Sequence, residues 1–306
     1  MQKNSVKYSL IVFAGGASYG IMGTAIKSAF AAGFTWPETV AGQATSGVLL
    51  FAVALLASLA FGKRPQHLSA RQALSLIALG LTTCTTCVLY NFALSKLPVA
   101  VAITLLFQFT WIGVVIEVLL TRRRPNAFEL GAAGVILGGT LLASGLFEGT
   151  LTRLDPLGIA CGLLSAVSCA LFMFLSGRIG LGVPPLQRGL VVCLGASVLG
   201  LIVCPGYVTG AAFLGGMWAY GLVLGMFALF IPVILFGIGT PHLTPGLSTI
   251  MASSELPCGI LISVLVLGEP VDALQVLGIA AILAGVVISQ IPHLRPAAPD
   301  RPPWAG

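Results

Sequence analysis

ASSELPCGIL, residues 252–261, carries a carboxylate, Glu255, and a proline, Pro257, inside a run apolar enough to cross a membrane. An acid at the centre of a membrane helix costs about 2.5–3.5 kcal/mol on insertion scales. A chain that keeps one there needs a reason, and the first clue lies 147 residues earlier. There LLFQFTWIGV, residues 105–114, sets Gln108 against Glu255 in an equally apolar stretch. The same shift lays Gly15 on Gly162, Ser18 on Ser165, Pro37 on Pro184, Gly42 on Gly189, Pro98 on Pro245, Leu130-Gly131 on Leu277-Gly278 and Gly138 on Gly285. Glycine and proline mark turns and close helix contacts, so coincidences at those residues carry more weight than Leu on Leu. The chain reads as one unit written twice.

Composition supports a membrane setting. Of 306 residues 57% are hydrophobic and 8% charged, against roughly 25% charged in soluble domains. Ten segments are long enough for a ~30 Å hydrocarbon layer at 1.5 Å per residue. They are approximately 8–30, 38–61, 73–94, 99–120, 127–147, 156–177, 187–206, 215–238, 246–267 and 272–291. The N-terminal stretch has the charge pattern of a signal peptide, but its apolar run continues to Phe30, so it reads as an uncleaved first span. Five spans per half is an odd number, so the halves insert in opposite orientations. The expected fold is an all-α polytopic membrane protein, ten transmembrane helices forming two inverted five-helix repeats. The repeats occupy residues 1–150 and 151–292, with a proline-rich, disordered cytoplasmic tail at 293–306.

Short connections and the Lys/Arg bias set the orientation. With the N-terminus in the cytoplasm, Lys3, Lys7, Lys63, Arg64, Arg71, Arg122, Arg123, Arg124, Arg178, Arg188, Arg295 and Arg301 are inside, and only Lys27, Lys96 and Arg153 are outside. Both termini are therefore expected in the cytoplasm, with the cell inner membrane as the location. The turn TRRRP after the fourth span corresponds to LGEPV after the ninth: one basic and inside, the other acidic and outside.

Other features have structural readings. In FTWPE, Thr35 and Glu38 form a capping box and Pro37 sits in the first turn. Cys84 and Cys87 make a C-x-x-C, but without a βαβ context or a second Cys/His pair they read as small packing residues. Lys27 and Glu117, near span ends, are placed to snorkel, Glu117 toward the arginines at 122–124. Gly16/Gly20, Gly134/Gly138 and Gly221/Gly225 read as helix-packing pairs. The net charge of +6 is scattered through short loops, which argues against nucleic acid. There is no P-loop and no nucleophile elbow, and no cofactor, metal or enzymatic activity is expected.

Five-helix repeats with LPVAVAITLL entering span four, LTPGLSTIMASSELP through span nine and LGEPVDALQVLGIAAILAGVVI through span ten resemble the drug/metabolite transporter superfamily, and within it the EamA-like ten-helix group. The resemblance covers roughly residues 8–291. It implies a secondary transporter whose cavity is lined by spans one, three, four, six, eight and nine, with export favoured over import. The first half departs from the pattern in lacking the Gly-Glu turn. Gln43 stands in AGQATSG, where span two often carries an arginine.

The polar residues at membrane depth are then candidates for a substrate site. Glu255 and Gln108 are expected near the midplane on the pseudo-two-fold axis. Pro257 is expected to free a carbonyl near residue 253 and bend the helix. Trp111 shares a helix face with Gln108. Tyr90, Asn91, Tyr19 and Ser254 add polar tips. Glu255 is either a cavity carboxylate that binds a substrate amine or takes up a proton, or a structural acid bonded to a neighbouring helix. The expected substrates are small organic metabolites, amino acids or related solutes first and lipophilic drugs second, moved by alternating access with or without proton coupling. A non-transporting membrane partner or sensor is the alternative. The expected partners are the lipid bilayer and the small-molecule substrate, in a monomer or homodimer.

Overall fold

The structure, a computed structural model, describes residues 2–62, 65–97, 99–122, 125–143, 155–268 and 272–294. Lys63, Arg64, Pro98, Arg123, Arg124, Arg153, the Gly-Glu turn beyond Gly268 and residues 295–306 of the tail lie outside them. All regular elements among the described residues are helical. The first repeat comprises α1 (Gln2–Ala31), α2 (Trp36–Ala60), α3 (Ala70–Lys96), a fourth span broken into α4 (Val99–Leu106) and α5 (Phe109–Thr121), and α6 (Ala127–Ala143). The second comprises α7 (Pro156–Ser176), α8 (Pro185–Val203) and an eighth span over Phe213–His242. In that span α9 (Trp218–Gly225) and α10 (Ile231–Gly239) are joined by a π-turn at Met226–Phe230. A ninth span broken into α11 (Pro245–Ala252) and α12 (Glu255–Leu267), and then α13 (Ala273–Leu294), complete it. Nine of these spans are long and apolar enough to cross a bilayer, and α6 is a shorter apolar helix. Leu214, Leu265 and Leu119, each more than 70% exposed, belong to the apolar outer surface that lipid would cover.

Local chemistry starts the helices where the sequence indicates. Ser69 and Gln72 close a capping box ahead of α3, and Asp155 caps α7 with Pro156 at its first position. Thr244 accepts from the Leu247 amide ahead of α11. At α2 the Glu38 carboxylate accepts from both the backbone amide (2.6 Å) and the hydroxyl (2.7 Å) of Thr35. Each cap gives a partner to amides that the first turn of a helix leaves without an intrahelical one.

The breaks in the fourth and ninth spans are equivalent, and they correct the register of the repeat. The starts and ends of α4 and α11, and of α5 and α12, differ by 146 residues. Both α5 and α12 end on a left-handed residue, Arg122 (φ 56°) and Gly268 (φ 66°), again 146 apart. The gapless shift of 147 is therefore one residue out at the position that matters. Glu255 corresponds to Phe109, and Gln108 corresponds to Ser254. Tight backbone bonds, Gln108 to Leu105 and Ser254 to Met251, turn the chain at both breaks.

Glycines set how closely the spans approach. Gly80 of α3 faces the backbone of α8, where an added Cβ would lie 2.9 Å from the Ala196 amide. Gly195 of α8 meets the Ile77 backbone of α3 in return. Gly16 and Gly20 press α1 onto the ninth span, Gly221 and Gly225 press the eighth onto α2, and Gly139 presses α6 onto Gly278 of α13. Gly134 and Gly138, by contrast, face open space, so the helix-packing role expected of that pair falls to Gly139 instead. Gly80→Ala is expected to cost about 1–3 kcal/mol by overpacking, read as a lower melting temperature in detergent. Gly138→Ala is expected to be neutral or stabilising by up to about 1 kcal/mol.

Candidate functional site

α1 is the most enclosed of the long spans. It runs between α10 and α12 and makes further contacts with α11. Gly20 brings it against α12 at the level where that helix begins: a Cβ there would lie 2.9 Å from the Glu255 carbonyl and 2.6 Å from the Gly259 amide. Above this contact the helices diverge and leave a cavity of about 250 Å³. Its walls are the C-terminal half of α1, the end of α3 (Tyr90, Leu94), α4 (Ile103) with Phe107 in the break after it, and α12 (Glu255 to Val264), closed at the rim by Ala143 of α6 and Gln275 of α13. Every one of these residues lies in the half of the protein that carries the α1–α2 turn. The cavity therefore runs from mid-depth toward that face.

The opposite half is closed by packing and polar contacts. The Thr110 and Ser253 hydroxyls are 3.2 Å apart, and the Thr249 hydroxyl donates to the Thr110 carbonyl at 3.1 Å. The Glu117 carboxylate accepts from the Gly246 amide at 2.9 Å, and Tyr8 stacks on His242 with centroids 3.7 Å apart. Glu117 thus reaches the N-terminus of α11 across the repeats, while two of the three arginines expected near it lie outside the described residues.

Glu255 sits at the inner end of the cavity. It is the first residue of α12, created as a helix start by the break before it and by Pro257, which has no amide to donate back to Ser253. A carboxylate there sits at the positive end of the helix dipole. The residue is half-buried, and among the described residues its carboxylate makes no hydrogen bond or ion pair. Tyr19 on α1 and Tyr90 on α3 line the same cavity. An acid reached through an open cavity that is also lined by tyrosine hydroxyls can hold a cation or exchange a proton.

Of the residues singled out from sequence, Glu255, Tyr19 and Tyr90 come together here. Gln108, Trp111, Ser254 and Asn91 are placed elsewhere, each with its own reason. Gln108 turns its amide away from the Thr104 carbonyl at the helix break, and its side chain takes that bond instead: Nε2 donates to Thr104 O at 2.9 Å. Its Oε1 accepts from Trp111 Nε1 at 2.8 Å, and Trp111 is 41% exposed on the outer surface. Ser254 donates to the Phe13 carbonyl of α1 at 2.7 Å. Asn91 is buried, donating to the Cys87 carbonyl and accepting from Thr39. Gln43 is likewise turned inward, donating to Cys87 Sγ at 3.4 Å. Gln108→Leu is expected to lower stability by about 1–3 kcal/mol, because it removes the bonds that Gln108 makes to the Thr104 carbonyl and the Trp111 N–H. Substrate affinity of the folded variant should be unchanged, which a melting curve alongside a binding titration would check.

Sequence reasoning missed Lys27, Thr24, Ser263 and Gln275, all of which line the cavity. A helical-face signal was present for most of them. Residues 20, 24 and 27 share one face of α1, and 255, 259 and 263 share one face of α12.

The sequence model of the EamA-like transporter family matches residues 6–145 and 156–290, one match for each repeat. No curated protein matches the chain. A solved structure described only as "Crystal structure of protein" superposes with a TM-score of 0.73 at 18% identity, covering 94% of this chain and 98% of that one, a likeness of fold. The family model, matched once over each half of the chain, identifies this chain as a member of the EamA-like transporter family.

Proposed function

We propose that the protein is a secondary transporter that moves small organic metabolites, amino acids or related solutes, across the cell inner membrane. It works by alternating access, with export as the favoured direction and both termini in the cytoplasm. The observation that carries this reading is the half-buried Glu255 carboxylate at the end of a cavity that runs to one face only. With the N-terminus inside, that face is extracytoplasmic, so the conformation described is the outward-open one. In the inward-open state the Tyr8–His242 stack and the Glu117–Gly246 contact separate, and the cavity closes above Glu255.

The cavity volume supports one of the two substrate classes over the other. About 250 Å³ falls below the roughly 300–1,000 Å³ of sites that enclose drug-sized ligands, which favours a small metabolite over a lipophilic drug. Glu255 binds the amine of the substrate, with Tyr19 and Tyr90 beside it. Gln108, Trp111, Ser254 and Asn91 do not line the cavity and have structural roles in the helices around it. Proton coupling through Glu255 would make uptake into proteoliposomes respond to an imposed pH gradient. Transport with a gradient-independent rate would point to a facilitator instead. Loss of all transport activity across amines and amino acids, with the protein folded, would leave the membrane-partner reading standing.

A further inference from the structure

The half of the protein that is closed to the first cavity holds a second one, of about 220 Å³. It lies between the end of α7, the short turn Thr240–His242 and the start of α11. Ile26, Lys27, Phe30 and Leu94 line the first cavity, and the residues 147 positions on, Met173, Phe174, Gly177 and Pro241, line the second. The two cavities are images of one another across the inverted repeats. Their chemistry differs. The first contains Glu255, whereas the second is lined by Arg178 and by no acidic residue.

Two observations on separate helices point to an anion. Arg178, just beyond α7, sits with its guanidinium carbon 3.6 Å from the centre of the Phe174 ring and donates to the Phe174 carbonyl at 3.2 Å. Stacking holds the plane of the fork, and the other N–H groups are left to meet an oxyanion side by side. Ser248 of α11 is 1% exposed, and among the described residues its hydroxyl has no hydrogen-bond partner. Buried polar groups are nearly always paired, so an unpaired hydroxyl lining a cavity marks a place for a ligand atom. A single water needs only about 10–15 Å³, and this space is far larger. Two acids meet the start of α11, Glu117 at the Gly246 amide and Glu129 at the Thr244 hydroxyl (3.3 Å), and neither lines the cavity.

We propose that the second cavity binds a phosphate group, with the Arg178 guanidinium on two of its oxygens and the Ser248 hydroxyl on a third. A carboxylate has no third oxygen to offer once the fork holds two. The bound group ties the end of α7 to α11. It can belong to a lipid headgroup, since Arg178 is exposed at the end of a span, or to a phosphate in solution. The site neither uses nor depends on Glu255.

The test is titration calorimetry and thermal unfolding on the purified full chain in detergent, against chloride at matched ionic strength. The probes are inorganic phosphate and dihexanoyl phosphatidic acid. At least one is expected to bind and to raise the melting temperature with concentration, and the tighter of the two names the source. Arg178→Gln and Ser248→Ala should each weaken binding by about tenfold, the scale of one charge-assisted bond. Arg178→Lys should recover only part of that loss. Ser248→Ala removes a hydroxyl without a partner, so the ligand-free variant should melt at the same temperature or higher, which separates lost binding from misfolding. The proposal fails if neither probe binds or if acetate binds as tightly as phosphate. It fails equally if Ser248→Ala binds as the unaltered protein does, which would place the anion on an exposed charge outside the cavity. Glu255→Gln should leave phosphate binding unchanged, so the two sites stand or fall separately.

Discussion

Glu255→Gln is expected to lower transport by about 10–100-fold, the worth of a charge-assisted hydrogen bond in a water-poor site at roughly 1.5–3 kcal/mol. The replacement is nearly isosteric and removes a charge that has no ionic partner among the described residues, so the protein should fold at least as well. Melting temperature is expected to stay the same or rise while transport falls. That divergence separates a working carboxylate from a structural one, since losing a structural acid would lower both. If the wild-type rate responds to an imposed pH gradient, the variant's residual rate should not. A variant with full rate and intact pH response would remove Glu255 from the mechanism.

Arg188→Ala is expected to have the largest effect on stability, about 2–4 kcal/mol. Arg188 belongs to the first turn of α8 but is 5% exposed. Its guanidinium donates to the Ser176 carbonyl (2.9 Å) and hydroxyl (3.1 Å) and to the Ile179 carbonyl (3.3 Å), closing the C-terminal end of α7. A cation there meets the negative end of the helix dipole as well as carbonyls that have no intrahelical partner. The alanine variant leaves those carbonyls unpaired next to Gly180 and Gly237, which have no side chains to fill the space. Arg188→Lys should recover less than half of the loss, because a single ammonium cannot reproduce the fork that spans two carbonyls and a hydroxyl. Thermal unfolding in detergent, followed by retained monodispersity or by binding, would measure both. Equal melting temperatures for the alanine variant and the wild type would contradict this account.

Arg188 also illustrates what a sequence count can miss. It contributes to the positive-inside bias as a loop charge, yet in the structure it is a buried bond donor. The two readings are compatible, because a residue in the first turn of a span can count toward the charge bias and still bond the neighbouring helix end. Glu117 behaves similarly. At the end of α5 it looked like a snorkelling acid, and it is in fact buried at 2% exposure against the first turn of α11. The bonds the structure adds lie beyond the reach of local pattern, because the partner is 12 residues away in one case and 129 in the other.

Glu255 and Gln108 show the same limit at the site itself. The repeat was legible because glycine, proline and apolar runs recur at nearly constant spacing. A shift of 147 captured the halves and a shift of 146 captures the half-helices, and on a helix one residue is about 100° of rotation. That rotation turns Gln108 away from the cavity and gives it the work of stitching the break in its own span. It also leaves the acid with an aromatic counterpart, Phe109, which is 1% exposed. Asymmetry between the repeats is thus stronger than the sequence suggested: one half supplies the acid, and the other supplies packing.

By itself, then, the sequence determined the solvent and the architecture. Length, apolar spans, short turns and an odd number of helices per repeat leave an inverted ten-helix membrane protein as the consistent solution, since every backbone group must be bonded within its own helix in lipid. It also singled out Glu255, because an acid at that depth is too costly to be incidental. Only the tertiary structure decided which polar groups share space with that acid. Helix rotation, the one-residue difference at the two breaks and the close approach allowed by Gly20 set Tyr19, Tyr90 and Lys27 around one cavity. They leave Gln108, Trp111, Ser254 and Asn91 bonded elsewhere. Those are contacts between residues up to 241 positions apart, and local periodicity does not encode the angle at which two distant helices meet.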